Sequence, residues 1–256
     1  MGLLALKLIL SPIIIGSASL AGRKWGHAVS GWLIGLPLTS GPVIFFLALS
    51  HDKSFVMTTV LGTLSGGFSL VAFCLTYAWI STRFRWPAAT LGSLVAYFML
   101  VLLMQNLFIP LLLLFILVVL AILSGLRLMP IETDVMEADS KPGLWDIPAR
   151  ILIGTSFILL LTESAPFIGP RLTGLLATIP LYTIILTIFA HRLHGSSGAI
   201  SVLRGLFFGM FAFAGFFLAL GLLINHLSVG WAFVFAIAAA LLIHGISLLV
   251  LRQKKD

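Results

Sequence analysis

Long apolar runs, broken by short polar stretches, set the pattern of this chain. The runs are continuous, whereas a membrane β-barrel would show short segments of alternating hydrophobicity. A membrane-crossing helix needs about 20 mostly apolar residues, and nine such spans are predicted. They run from about Leu3 to Ala21, Ala28 to Leu49, Phe55 to Ile80, Pro87 to Met104 and Leu107 to Leu123. The remaining four run from about Ala149 to Leu161 or Ala165, Arg171 to Ala190, Ala199 to Ile224 and Gly230 to Leu251. Pro37 and Pro42 interrupt the second span and Pro180 the seventh, and Pro110 is expected in the first turn of the fifth, where proline is tolerated. The one long polar segment, Arg127 to Pro148, carries Glu132, Asp134, Glu137, Asp139, Lys141 and Asp146 and reads as a solvated loop.

Composition agrees with this division. Of 256 residues, 60% are hydrophobic and 9% charged, against roughly 25% charged in a soluble domain. The fold class expected is all-α and polytopic, with lipid as solvent. The net charge of +7 would suggest nucleic acid in a soluble protein, but no loop carries a basic cluster of useful size, so no nucleic-acid partner is expected. The charge follows the positive-inside rule instead. With the N-terminus outside, eleven Lys and Arg fall on the inner side, and Lys53 and Arg171 on the outer side. Lys7 and Arg204 lie within spans. This split predicts nine crossings, N-out and C-in, in a bacterial cytoplasmic membrane. Lys7 is the only early charge, so the first apolar run is expected to remain as a helix and not to act as a signal peptide. Cys74 is the only cysteine and sits inside an apolar run, which excludes an internal disulfide or a cysteine-type metal site.

Sliding the chain by 143 positions aligns its halves without a gap. Gly26 meets Gly169, Gly31 meets Gly174, Pro37 meets Pro180, His51 meets His194, Gly62 meets Gly205 and Gly66 meets Gly209. Ser40 meets Thr183 and Lys7 meets Arg150. From Leu6 to Ala78 there are 14 identities in 73 positions, and the aligned Gly, Pro and His mark backbone geometry, not greasiness. A four-span unit repeated after one extra crossing must be inserted upside down. The expected architecture is therefore a 4+1+4 inverted repeat. Residues 1–106 form the first unit, 107–147 a linker helix and polar cytoplasmic loop, and 148–256 the second unit.

Inverted repeats recur in secondary transporters, whose sites lie where Gly- or Pro-broken helices from both halves meet near the midplane. The second span reads Gly31-Trp32-Leu33-Ile34-Gly35-Leu36-Pro37-Leu38-Thr39-Ser40-Gly41-Pro42, and the seventh Gly174-Leu175-Leu176-Ala177-Thr178-Ile179-Pro180-Leu181-Tyr182-Thr183. Each proline removes a helix hydrogen bond, and in lipid the freed groups need partners inside the protein. Thr39, Ser40, Tyr182 and Thr183 are the nearest hydroxyls, so with Pro37 and Pro180 they are the expected substrate-binding residues; the plainer reading is two kinked helices satisfying their own backbone. The Gly31–Pro42 segment, with Leu-Pro-Leu-Thr after a Gly-rich helix, resembles the central stretch of small bacterial four-span proteins of the GlpM type. The resemblance covers about one repeat. It implies a fused pair of such units in opposite orientations and carries no catalytic residues across.

Arg204, about six positions into the eighth span, is expected to bind an anionic group or pair with a carboxylate, or else to snorkel to the inner interface. Glu163 is a candidate proton-coupling carboxylate or an interfacial residue, and His244 a candidate proton relay or a structural histidine. His191 and His194 have helical spacing but no third ligand, so no metal is expected. Gly62, Gly66 and Gly67, matched by Gly205 and Gly209, form small-residue faces that let helices approach closely, and their repetition predicts that the third and eighth spans cross near the pseudo-two-fold axis. No nucleotide-binding loop or Ser-His-Asp set is present in the sequence. The reading is a non-enzymatic, cofactor-free secondary transporter or lipid or solute translocator. The alternative is a non-transporting assembly or regulatory membrane protein. Expected partners are a small-molecule or lipid substrate and bilayer lipid, with a homo-oligomer left open.

Overall fold

The computed structural model describes residues 2–22, 32–131 and 146–253, and every regular element among them is helical. The loop with Arg23 and Lys24, the aligned Gly26 and Gly31, and the acidic stretch from Glu132 to Trp145 lie outside the described residues. In order the helices are α1 (Gly2–Gly22), α2 (Ser40–Ala48), α3 (Lys53–Ser81), α4 (Trp86–Met104) and α5 (Leu111–Leu128). They continue with α6 (Asp146–Ile168), α7 (Pro170–Leu176), α8 (Leu181–Leu223) and α9 (Val229–Gln253). A single helical turn at 32–34 precedes α2. Six helical stretches among the described residues are long and apolar enough to cross a membrane: α3, α4, α5, α6, α7 with α8, and α9. Leu4–Gly16 is a shorter apolar stretch. Helices answer the physics of lipid, because each backbone N–H and C=O finds its partner within the same segment.

Several boundaries depart from the sequence expectation, two of them for a clear local reason. The fifth span starts at Leu111, with Pro110 as its N-cap. Proline disfavours helical backbone at the residue before it; 107–110 stay outside the helix, and the Leu107 carbonyl accepts from the Arg171 guanidinium instead. The sixth span continues past Leu161 to Ile168, through the polar run Thr162-Glu163-Ser164. Thr162 Oγ1 donates to Ile158 O at 2.8 Å and Ser164 Oγ to Leu161 O at 3.2 Å, while Glu163 pairs with Lys7 at 2.8 Å. These polar groups are satisfied locally and so do not end the helix.

α8 is two limbs, 181–194 and 196–223, joined at Gly195, whose φ of 66° and ψ of −159° are non-helical. A straight helix would put Leu181 and Phe213 about 48 Å apart at 1.5 Å per residue, yet both line one small cavity, so the chain doubles back at Gly195. The positive φ is one that glycine adopts without steric cost.

α3 and the second limb of α8 form the centre. Most of their side chains are buried, whereas α4, α5 and α9 turn rows such as Leu91, Val95, Met99 and Leu102, or Leu112, Ile116, Leu120 and Leu123, outward. The two central helices run antiparallel. Lys53 Nζ at the start of α3 donates to Asn225 O and Leu227 O just beyond α8, and Tyr77 near the end of α3 meets His191 Nδ1 at 3.3 Å. α1 and α6 are likewise antiparallel, since Lys7 meets Glu163 and Gly16 packs against Ile151. α5 packs on both α3 and α8.

The glycine faces differ from expectation. α3 and α8 do pack together, and Gly67 meets Phe213 of α8 beside Val118 of α5, but Gly62, Gly66 and Gly209 do not mark that contact. A Cβ on Gly62 would lie 2.3 Å from Arg171 O, and one on Gly66 2.3 Å from Thr178 Oγ1. A Cβ on Gly209 would lie 2.3 Å from Trp32 O and 2.7 Å from Gly35 Cα. Gly62, Gly66 and Gly209 therefore each seat a broken helix from the other half of the chain.

Candidate functional site

The first break spans 35–39, between the turn at 32–34 and α2, and the second spans 177–180, between α7 and α8. Their backbone bonding repeats at the 143-residue offset. Gly35 N donates to Trp32 O and Thr178 N to Leu175 O, while Leu36 N donates to Leu33 O and Ile179 N to Leu176 O. Leu38 N then folds back on Leu36 O at 2.7 Å, as Leu181 N does on Ile179 O at 2.8 Å. Gly41 N reaches Pro37 O and Ile184 N reaches Pro180 O. The cause is local: proline has no N–H for the preceding turn, so the chain tightens and restarts one step later.

The breaks meet around a single cavity of about 50 Å³. Thr39 and Ser40 line it from one side and Thr178, Pro180, Tyr182 and Thr183 from the other, with Leu70, Leu206 and Phe213 from α3 and α8 closing it. Pro37 shapes the first break without lining the cavity. No charged side chain is in the lining.

Different neighbours hold the two breaks. Beside the second, Tyr97 of α4 donates to Leu175 O at 3.0 Å and lies 2.9 Å from Thr178 Oγ1. Beside the first, Trp32 stacks on His244 of α9 with ring centroids 3.5 Å apart and donates from Nε1 to Ser247 Oγ at 2.8 Å. His244 is 4% exposed, and neither ring nitrogen makes a hydrogen bond among the described residues.

Of the residues expected at the site, Thr39, Ser40, Pro180, Tyr182 and Thr183 come together. Arg204 does not join them; its guanidinium donates to Pro130 O at 2.9 Å, beyond the end of α5. Glu163 is held by Lys7 with a side chain 67% exposed. His244 touches the first break through Trp32 but lies outside the lining. The sequence reading missed Gly35, Thr178 and Tyr97. The first two align with each other at the 143 offset, so the repeat itself carried that signal; Tyr97 sits in a uniformly apolar span that gave none.

Compared with protein-family models, curated proteins and solved structures, the chain has no match.

Proposed function

We propose that the chain is a small secondary transporter or solute translocator of the bacterial inner membrane, built as a 4+1+4 inverted repeat. The observation that carries the reading is the single cavity formed by two breaks that lie far apart in sequence and bond alike. The reciprocal seats support it as well. Gly66 of the first half holds Thr178, and its counterpart Gly209 holds Gly35, the counterpart of Thr178. The antiparallel pairs α1–α6 and α3–α8 join the first and third spans to their counterparts in opposite orientations, as inversion requires.

The same geometry favours nine crossings. The stretch from Pro170 to Leu223 is 54 residues, about 81 Å if straight and far more than a bilayer of about 30 Å. Its reversal at Gly195 makes two crossings of it. α1 adds one, and the broken segment ending in α2 adds another. Contacts at the helix ends bring loops to a common side, as nine crossings require: Lys53 meets Asn225 and Leu227, and Arg171 meets Gln105 and Leu107. All of these are outer loops in the N-out topology. Rocking one half against the other about α3 and α8 would open the cavity to each side in turn.

Reconstitution of the full chain into liposomes tests this. Movement of at least one solute from a broad panel, with or without a proton or sodium gradient, is expected. Verified insertion with no movement of any solute would count against transport. A single stoichiometric membrane partner recovered by crosslinking would then favour an assembly role.

A further inference from the structure

We infer that the cavity takes a small, net-neutral solute carrying both hydrogen-bond donors and acceptors, and this rests on the transporter reading. The backbone leaves two matched sets of groups unused. The N–H groups of Thr39 and Ser40, and of their counterparts Tyr182 and Thr183, donate to nothing among the described residues. The carbonyls of Ile34 and Gly35, and of their counterparts Ala177 and Thr178, accept no backbone N–H among the described residues. All eight residues line the cavity. The side chains of Ser40 and Thr183 add a second observation. Both residues are 3% exposed, and neither hydroxyl has a hydrogen-bond partner among the described residues. A helical Ser or Thr commonly bonds the carbonyl four residues back, but here the carbonyls of Leu36 and Ile179 are occupied by Leu38 N and Leu181 N. Buried polar groups are normally paired, so this many open ones in one lining define a polar site.

Charge decides the class of solute. The free N–H groups stand at the positive starts of α2 and α8, and the free carbonyls at or just beyond the ends of the turn at 32–34 and α7. A cation would meet four carbonyls but also two positive helix ends, and an anion the reverse. With no charged side chain in the lining, neither ion is compensated. A solute offering donors to the carbonyls and acceptors to the N–H and hydroxyl groups satisfies both sets. The volume of about 50 Å³ holds roughly three to five water-sized groups at about 10–15 Å³ each, the size of urea or glycine. Because the halves match, Ser40 and Thr183 act as equivalents.

The test uses the full chain in phosphatidylethanolamine–phosphatidylglycerol liposomes with four probes: urea and glycine followed by stopped-flow light scattering, sodium and chloride by trapped fluorescent indicators. Urea or glycine is expected to move faster than in protein-free vesicles, and neither ion is. Ser40→Ala and Thr183→Val are each expected to slow that flux about five-fold, the weight of one hydrogen bond, and to match each other within about two-fold. Ser40→Thr, which keeps the hydroxyl, restores it, and unchanged elution in detergent shows that the variants fold. Ion flux without urea or glycine flux overturns the solute class while leaving transport standing. Neutral flux indifferent to both substitutions overturns the site. Silence with all four probes overturns the inference, and only silence across the wider panel overturns the transporter reading.

Discussion

The two breaks share a backbone but not a neighbourhood. At the first, an aromatic ring is clamped by α9: Trp32 lies on His244 and bonds Ser247. At the second, Tyr97 of α4 ties the Thr178 hydroxyl and the Leu175 carbonyl together. Even the glycine seats differ. Gly209 meets backbone, at Trp32 O and Gly35 Cα, whereas Gly66 meets only the Thr178 side chain. α4 and α9 are the fourth and ninth spans, counterparts in the proposed repeat, so the same helix in each half supplies the clamp with different chemistry. Backbone geometry is what two inverted halves must share to build one cavity. The clamps face opposite sides of the membrane in the proposed topology, and nothing in the symmetry requires them to be alike.

Substitutions at the first clamp are expected to have the largest effect. Trp32→Ala removes a buried aromatic along with its stack and its bond to Ser247, and should destabilise by about 3–5 kcal/mol, read as a lower unfolding midpoint in detergent. The seats come next. Gly209→Ala forces a methyl against backbone that cannot swing away, so a cost of about 1–3 kcal/mol is expected. Gly66→Ala should cost less, because the Thr178 hydroxyl and methyl can rotate, although its Cβ would still lie at 3.1 Å. Equal losses at the two glycines would mean that the backbone contact at Gly209 relaxes as easily as a side chain does, and the contrast between the breaks would lose its basis.

The backbone half of this picture was legible in the sequence; the clamps were not. Pro37 and Pro180, with the Gly and hydroxyl residues around them, announced two aligned breaks because proline acts on the chain that carries it. The 143-residue offset then paired them, and the fold brings the pair to one cavity. What holds the breaks depends on residues from other helices: Tyr97 is 78 positions from Leu175, and Trp32 is 215 from Ser247. Apolar spans offer no periodic signal for such pairings, since lipid-facing and core-facing residues are equally greasy. The same limit applies to Arg204, which does not line the cavity. A charge inside a span is a sound reason for interest, but its reach to Pro130 O depends on where α5 ends. The glycine faces were legible as close-packing surfaces, while their partner, a broken helix and not a second small face, was set by the tertiary arrangement.

The smallest effect is expected at the second clamp. Tyr97→Phe deletes one buried hydroxyl and keeps the ring, so the loss is about 1 kcal/mol. Thr178 Oγ1 still donates to Leu175 O at 2.7 Å, which leaves neither partner without a bond and keeps the penalty near that of a single hydrogen bond. The substitution separates stability from function at this break. If Tyr97 only supports the fold, solute flux should be unchanged once the variant is inserted. If it holds α7 in place while the cavity is closed, flux should change by more than the stability loss accounts for. That excess should vanish when Thr178→Val, which also removes the bonded partner, is combined with Tyr97→Phe, because the two hydroxyls act through one contact. Additive effects on flux would mean that they act separately, and the second break would then have no clamp comparable to the ring at Trp32.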